Sequence, residues 1–164
     1  MSSRPPPPLL LAATMDVLRR HAPFNAMQQD ALERLAGALK LRYFAREATI
    51  LSPESGPINA LFIIQRGAVK AEETSGVSLN NLAGTFTEGE CFPVGALIAR
   101  RPTRLRYTAA SDTFLYVLDE GAFNLALESS APFRAYCTKR LAALLELSTR
   151  GTREAYAGRA ANEL

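Results

Sequence analysis

The spacing of apolar residues changes twice along this chain. Near the N-terminus it is helical, with Leu11, Met15 and Leu18 in one set and Leu32, Leu35, Ala36 and Leu39 in another. The first set predicts a short helix from about Ala12 to Arg20, stopped by Pro23; the second predicts a helix from about Met27 to Leu39. After Lys40 the period shortens. Leu41 to Arg46 alternates in part, Ala48 to Leu51 follows, and the breaker run Ser52-Pro53-Glu54-Ser55-Gly56-Pro57 precedes Ala60 to Gly67. The continuous apolar centre of that last piece suits a buried strand. Further short pieces follow at Ala68–Glu72, Leu79–Phe86, Glu90–Phe92, Arg104–Ala109 and Thr113–Leu118. Short strands punctuated by Gly and Pro predict a mainly β fold, an antiparallel barrel or jelly roll, flanked by helices. No strand alternates with a long helix, which disfavours a Rossmann-like sheet.

Past Asp119 the helical period returns. Asp119 reads as the cap of a helix carrying Phe123, Ala126 and Leu127. Ser130-Ala131-Pro132 opens another, with Pro in the first turn, where its missing N–H costs nothing. That helix lines up Phe133, Cys137, Leu141, Leu144 and Leu145, a stripe that either pairs in a homodimer or packs on the β core. The expected organisation is a disordered Pro-rich leader over 1–11, helices over 12–40, a ligand-binding β core over 41–118 and helices over 119–164.

Composition narrows the chemistry. The length of 164 residues fits one domain, at roughly 100–200 residues per domain. The single His, His21, reads as a surface or capping residue; with Cys91 and Cys137 it cannot make a structural zinc site, and no metal or cofactor is expected. Nothing places His21 in a Ser-His-Asp arrangement, so the chain is not expected to be an enzyme. The two cysteines read as reduced intracellular thiols, Cys137 as a buried structural one and Cys91 as part of the core or of a pocket wall.

The formal charge of +3 is mild, and Arg100, Arg101, Arg104 and Arg106 form the one cation cluster. A solvated face or phosphate pairing explains that cluster better than nucleic acid, because Tyr107 is the one aromatic residue beside it. No apolar run approaches the ~18 residues that span a bilayer. Leu9 to Ala13 is shorter than the ~7–15 residues of a signal-peptide core, so a cytoplasmic chain without a membrane partner is expected.

From about Leu39 to Glu120 the chain resembles the cyclic-nucleotide-binding domain family, which includes the catabolite activator protein and the regulatory subunits of protein kinase A. The cadence from Ala48 to Val69 is similar: strand, Gly56 in a turn, the strand Ala60-Leu61-Phe62-Ile63-Ile64, then Gly67 ahead of the next strand. Glu88-Gly89-Glu90-Cys91-Phe92 resembles the approach to the family's phosphate-binding cassette, and Pro102 falls where the cassette Pro does. The resemblance implies a jelly roll that holds a cyclic nucleotide or another small phosphate-bearing anion. In the family, backbone N–H groups at a short helix start hold the phosphate, a Glu accepts from the ribose hydroxyl, and an Arg after the Pro pairs with the phosphate.

The corresponding segment here is Phe92-Pro93-Val94-Gly95-Ala96-Leu97, continuing through Arg100 to Pro102-Thr103-Arg104. In ungapped register Pro93 replaces the cassette Gly, Val94 the Glu and Thr103 the Arg. Val94 cannot accept a hydrogen bond, a loss of roughly 1.5–3 kcal/mol. Arg104 lies one position late, which on a strand turns it to the other face. The resemblance therefore implies weak or altered nucleotide binding, with Phe92, Pro93, Val94, Gly95, Ala96, Leu97, Arg100, Thr103 and Arg104 as candidate ligand-site residues. It also implies that Val94→Glu with Thr103→Arg should strengthen binding. Glu88 and Glu90 read as solvated turn carboxylates.

The Phe-Pro-Val-Gly-Ala-Leu cassette is also similar to that of bacterial signal-transduction proteins in which such a domain precedes a CBS-domain pair and a nucleotidyltransferase-like domain. In that arrangement this chain is a regulatory module with a downstream output domain. About 16 residues follow Ser148, too few for the helix-turn-helix of the family's transcription factors, so DNA binding is not expected. The alternative is a ligand-free interaction or dimerisation module on the same fold.

Overall fold

The computed structural model describes residues 8–74 and 84–142. Helix α1 spans Pro8–Leu18 and α2 spans Gln29–Ala38. The first helix therefore begins inside the segment expected to be a disordered leader, with Pro8 at its first position, where no N–H is needed. Helix α2 buries Ala31, Leu32, Leu35 and Ala36, the face that the apolar spacing predicts.

Eight strands follow: β1 Lys40–Phe44, β2 Thr49–Leu51, β3 Ala60–Arg66, β4 Val69–Glu73, β5 Gly84–Phe86, β6 Cys91–Phe92, β7 Leu105–Ala109 and β8 Thr113–Asp119. Residues 79–83 of the expected strand before Phe86 lie outside the described residues. Helix α3 (Val94–Ala99) interrupts the strands, and α4 (Glu120–Ser129) closes the series. Residues 131–142 form a further helix, α5.

The strands pair antiparallel in two four-stranded sheets, ordered β1-β8-β3-β6 and β2-β7-β4-β5. They form a sandwich, not a closed barrel: among the described residues no ladder joins one sheet to the other. Strand alternation gives the reason. In the first sheet β3, β6 and β8 are buried on both faces, with Phe62, Ile64, Phe92 and Leu115 towards the second sheet and Leu61, Ile63, Cys91 and Leu118 towards the helices, while the edge strand β1 is exposed. That is why β3 reads as an unbroken apolar run. In the second sheet Val69, Ala71, Leu105 and Tyr107 face inward while Lys70, Glu72 and Arg106 are exposed, so β4 and β7 alternate.

Two local features hold these elements in place. Gly67 has φ +104°, and a Cβ there would lie 2.7 Å from the Asp112 carbonyl oxygen, so the β3–β4 turn requires glycine. Beside it, the fully buried Thr113 hydroxyl accepts from the Ala68 N–H at 3.3 Å and has the Ser111 and Ala68 carbonyl oxygens as acceptors at 2.8 and 3.0 Å. The Asp119 carboxylate caps α4, accepting from the Ala122 N–H at 2.8 Å. The Ser130 hydroxyl accepts from the Phe133 N–H at 3.3 Å and starts α5.

In the described part of the α5 stripe Phe133 and Cys137 are covered within the chain and Leu141 is half-buried. Phe133 is fully buried, with Phe123 and Phe24 ring centroids 5.7 and 6.4 Å away, and Cys137 is buried beside them. Leu144 and Leu145 lie outside the described residues. Among the described residues no helix is long and apolar enough to cross a membrane.

Candidate functional site

Strand β6 is two residues long because Pro93 ends it. Phe92 pairs with Phe62 of β3 and Cys91 with Ile63, and Pro93 then becomes the N-cap of α3 without a side-chain cap bond. The first intrahelical bond runs from the Leu97 N–H to the Pro93 carbonyl at 3.1 Å. The N–H groups of Val94, Gly95 and Ala96 therefore have no acceptor within the helix, as at any helix start. Gly95 and Ala96 are half-buried, while Val94 and Leu97 are buried.

Val94 packs with Leu97, Ile63 and Cys91 in the core shared with the helices. Its side chain is buried, so placing a carboxylate at 94 would insert it into apolar packing. Val94→Glu, expected together with Thr103→Arg to strengthen binding, would therefore disturb that packing. The side chains of Phe92 and Val94 are directed into different cores, Phe92 into the space between the sheets.

Aromatic rings fill that space. Phe92 stacks nearly parallel between Phe62 and Tyr107, with centroids at 5.5 and 4.7 Å, and Phe86 tilts against Phe92 and Tyr107 at 5.7 and 6.0 Å. The Tyr107 hydroxyl meets the Thr103 side chain, and burial, opposed by that hydrogen bond, pushes the phenol up to about 12. Thr103 is itself buried, and its hydroxyl oxygen accepts from the Leu105 N–H at 3.2 Å. So position 103 faces the interior and Arg104 faces solvent, in step with the alternation of β7, which begins at Leu105.

Two further cations of the cluster are directed elsewhere. Arg100 adopts the left-handed conformation that ends α3, and its Nε lies 2.8 Å from Glu120 Oε1. Arg106 is exposed on the outer face, where it contributes to the field that lowers the Glu54 carboxyl, after the stronger hydrogen bonds to that group. Glu90 folds back to accept from Thr87, within the turn. His21 is not a free surface residue: Gly89, at φ +86°, lies against its ring, and a Cβ at 89 would overlap the imidazole. The N-terminal region is thereby braced on the turn that leads into β6.

Four contributors escaped the sequence reading. Phe62, Phe86 and Tyr107 are inward-facing aromatics whose convergence on Phe92 depends on which strands pair. The fourth is Arg140 on α5, whose guanidinium lies 5.9 Å from the Phe86 centroid. Its signal was present: Arg140 sits three and seven residues after Cys137 and Phe133, on the apolar face of its helix.

Helix α5 also packs on the core that holds β6, with Tyr136 against the buried cluster that contains Cys91. Burial pushes both the Cys91 and Cys137 thiols up to about 12. Both are expected to stay unreactive towards a disulfide reagent at pH 8 in the folded protein and to react on unfolding. A raised thiol value also means that the unfolded chain loses its protons first, so stability should fall as pH rises above about 9. Fast labelling of either cysteine under native conditions would contradict the packing of α5 on β6.

No family model and no curated protein matches the chain. Solved structures do match. The regulatory domain of Toxoplasma gondii PKA, co-crystallised with cAMP, superposes with TM-score 0.70 at 16% identity, over 82% of this chain and 50% of that one. A regulatory subunit of a cAMP-independent protein kinase A from Trypanosoma cruzi, bound to guanosine, gives 0.67 at 16% identity, over 80% and 46%. The sensor domain of the transcriptional regulator DNR from Pseudomonas aeruginosa gives 0.59 at 18% identity, over 83% and 91%. The chain thus has the jelly-roll fold of cyclic-nucleotide-binding regulatory domains and spans about half the length of the two kinase proteins.

Proposed function

We propose that this chain is a ligand-sensing regulatory domain, not an enzyme, with low affinity for ordinary cyclic nucleotides and retained affinity for small phosphate-bearing anions. The observation that carries the reading is the β6–Pro93–α3 junction. It keeps a helix start with three N–H groups free for an acceptor, beside a buried Thr103 in place of an inward cation. The relatives in fold are regulatory or sensor domains, and the one bound to guanosine carries a ligand without phosphate. Sensing would act by differential binding: a ligand that touches α3 and α5 together favours the docked arrangement of α5. The similarity of the cassette to that of bacterial signal-transduction proteins supports an output domain elsewhere in a longer parent chain.

Calorimetric titration with cyclic AMP, cyclic GMP and guanosine tests this. Each missing contact weakens binding by about tenfold at ~1.4 kcal/mol, so dissociation constants for the cyclic nucleotides of about 10 μM or weaker are expected. Submicromolar binding of cyclic AMP that Arg104→Ala leaves unchanged would overturn the weak-binding reading. The stacked rings between the sheets favour a second reading, a ligand-free docking or dimerisation module. Absence of binding to every nucleotide and to inorganic phosphate would select it.

A further inference from the structure

Among the described residues the two sheets end in β1 and β6 and in β2 and β5, and these edges differ in what they leave open. Strand β6 has two residues, both buried, and β2 and β5 have three each. Strand β1 has five, Lys40 to Tyr43 are all exposed, and β8 is the one strand that pairs with it. Its outer side therefore presents backbone N–H and C=O groups that no ladder uses, the template on which a further strand can add. Leu41 and Tyr43 are 56% and 54% exposed, and Leu41 stands opposite Tyr116, which packs beneath the helices. The helix layer covers β8 at Tyr116 and Leu118 and stops short of β1. Leu41 and Tyr43, with the Phe114 ring 5.2 Å from that of Tyr43, form an apolar shelf at the sheet edge.

Lys40, Arg42 and Phe44 alternate onto the other face, where the Arg42 guanidinium lies 5.0 Å from the Phe44 centroid. Among the described residues neither cation forms a salt bridge, and the paired stretch of β8, Thr113 to Val117, carries no charge. A second copy added antiparallel with Leu41 opposite Tyr43 would set Arg42 opposite Arg42, a like-charge pair that opposes self-pairing. A strand bearing carboxylates at those positions is attracted instead. We propose that β1 is a docking edge for an extended acidic segment of a partner protein, one in which carboxylates alternate with apolar side chains. The segment adds to the first sheet as a further strand, its carboxylates facing Lys40 and Arg42 and its apolar residues covering Leu41 and Tyr43. Strands β1 and β6 are opposite edges of that sheet, so this docking is separate from the β6–α3 junction and holds whether or not a nucleotide binds.

The test titrates the chain with an acetylated, amidated peptide of alternating glutamate and valine, and separately with its lysine–valine counterpart, following the backbone amide NMR signals of Lys40 to Phe44. The glutamate peptide should shift these signals to saturation and the lysine peptide should not. Lys40→Glu with Arg42→Glu should exchange that preference, weakening the glutamate peptide about tenfold or more. Both positions are exposed, so this variant should keep a native-like spectrum. Salt at about 1 M, where the Debye length is about 3 Å, should also weaken binding. Leu41→Ser should weaken it about threefold or more through lost apolar contact, which charge attraction alone would not produce. No saturating shift with the glutamate peptide, an unchanged preference in the charge-reversed variant, or full affinity in Leu41→Ser would overturn the proposal. A dimer in sedimentation that Leu41→Asp returns to monomer would place a second copy on this edge and overturn it as well.

Discussion

Phe92→Ala is expected to lower the unfolding free energy by about 3–5 kcal/mol, the range for truncating a large aromatic side chain in a core. Phe92 is 1% exposed and is in ring contact with Phe62, Tyr107 and Phe86. Aromatic pairs add about 0.5–1.5 kcal/mol beyond area burial. Those neighbours sit on strands of both sheets, β3, β5 and β7, which their own ladders hold apart. The cavity cannot collapse cheaply, so the upper part of the range is expected. Phe92→Leu, which keeps an apolar side chain but not the stack, should lose less. Urea unfolding of the three proteins measures this, and a loss below about 1 kcal/mol for Phe92→Ala would show that the rings do not fill the sandwich.

Val94→Glu is expected to destabilise the chain by about 3 kcal/mol or more at pH 7 and to bring no gain in nucleotide affinity. The side chain at 94 is 4% exposed and lies among Leu97, Ile63 and Cys91, none of which can partner a carboxylate. Burial raises the folded-state value of such a carboxyl above its unfolded value. The deficit should then be largest above the folded-state value and shrink in acid, where the group is neutral in both states. Unfolding measured at pH 7 and pH 4.5 separates this from a simple packing defect, which would show no such dependence. A stable Val94→Glu that binds cyclic AMP more tightly would mean that position 94 faces the ligand.

How much was legible in the sequence differs between the strands and the site. Strand positions were readable because burial leaves a mark of period two, as in Val69 and Ala71 against Lys70 and Glu72. The Asp119 cap was readable because it needs only a carboxylate three residues before the N–H it accepts from. Strand β1 is the weakest case: Leu41 and Tyr43 are 56% and 54% exposed, so its apolar residues mark an edge and not the core. The α1 start was misplaced because four prolines in a row obscure a helix that the last of them begins. Alternation separates Thr103, which is buried, from Arg104, which is exposed.

The sequence alone determined, then, what local periodicity and single-residue chemistry can determine: short antiparallel strands between helices, and glycine at turns with positive φ. Tertiary structure decided which residues share a space. Phe62, Phe86, Phe92 and Tyr107 are scattered over 46 positions, and only the pairing of β3 with β6 and β4 with β5 and β7 stacks them. It decided that the sheets stay open as a sandwich, since closure depends on ladders between strands distant in sequence. It decided that Val94 belongs to the core, because whether a residue at a helix start faces ligand or packing depends on what lies across from it. And it brought Arg140 to Phe86, a contact between residues 54 positions apart that no period within α5 can report.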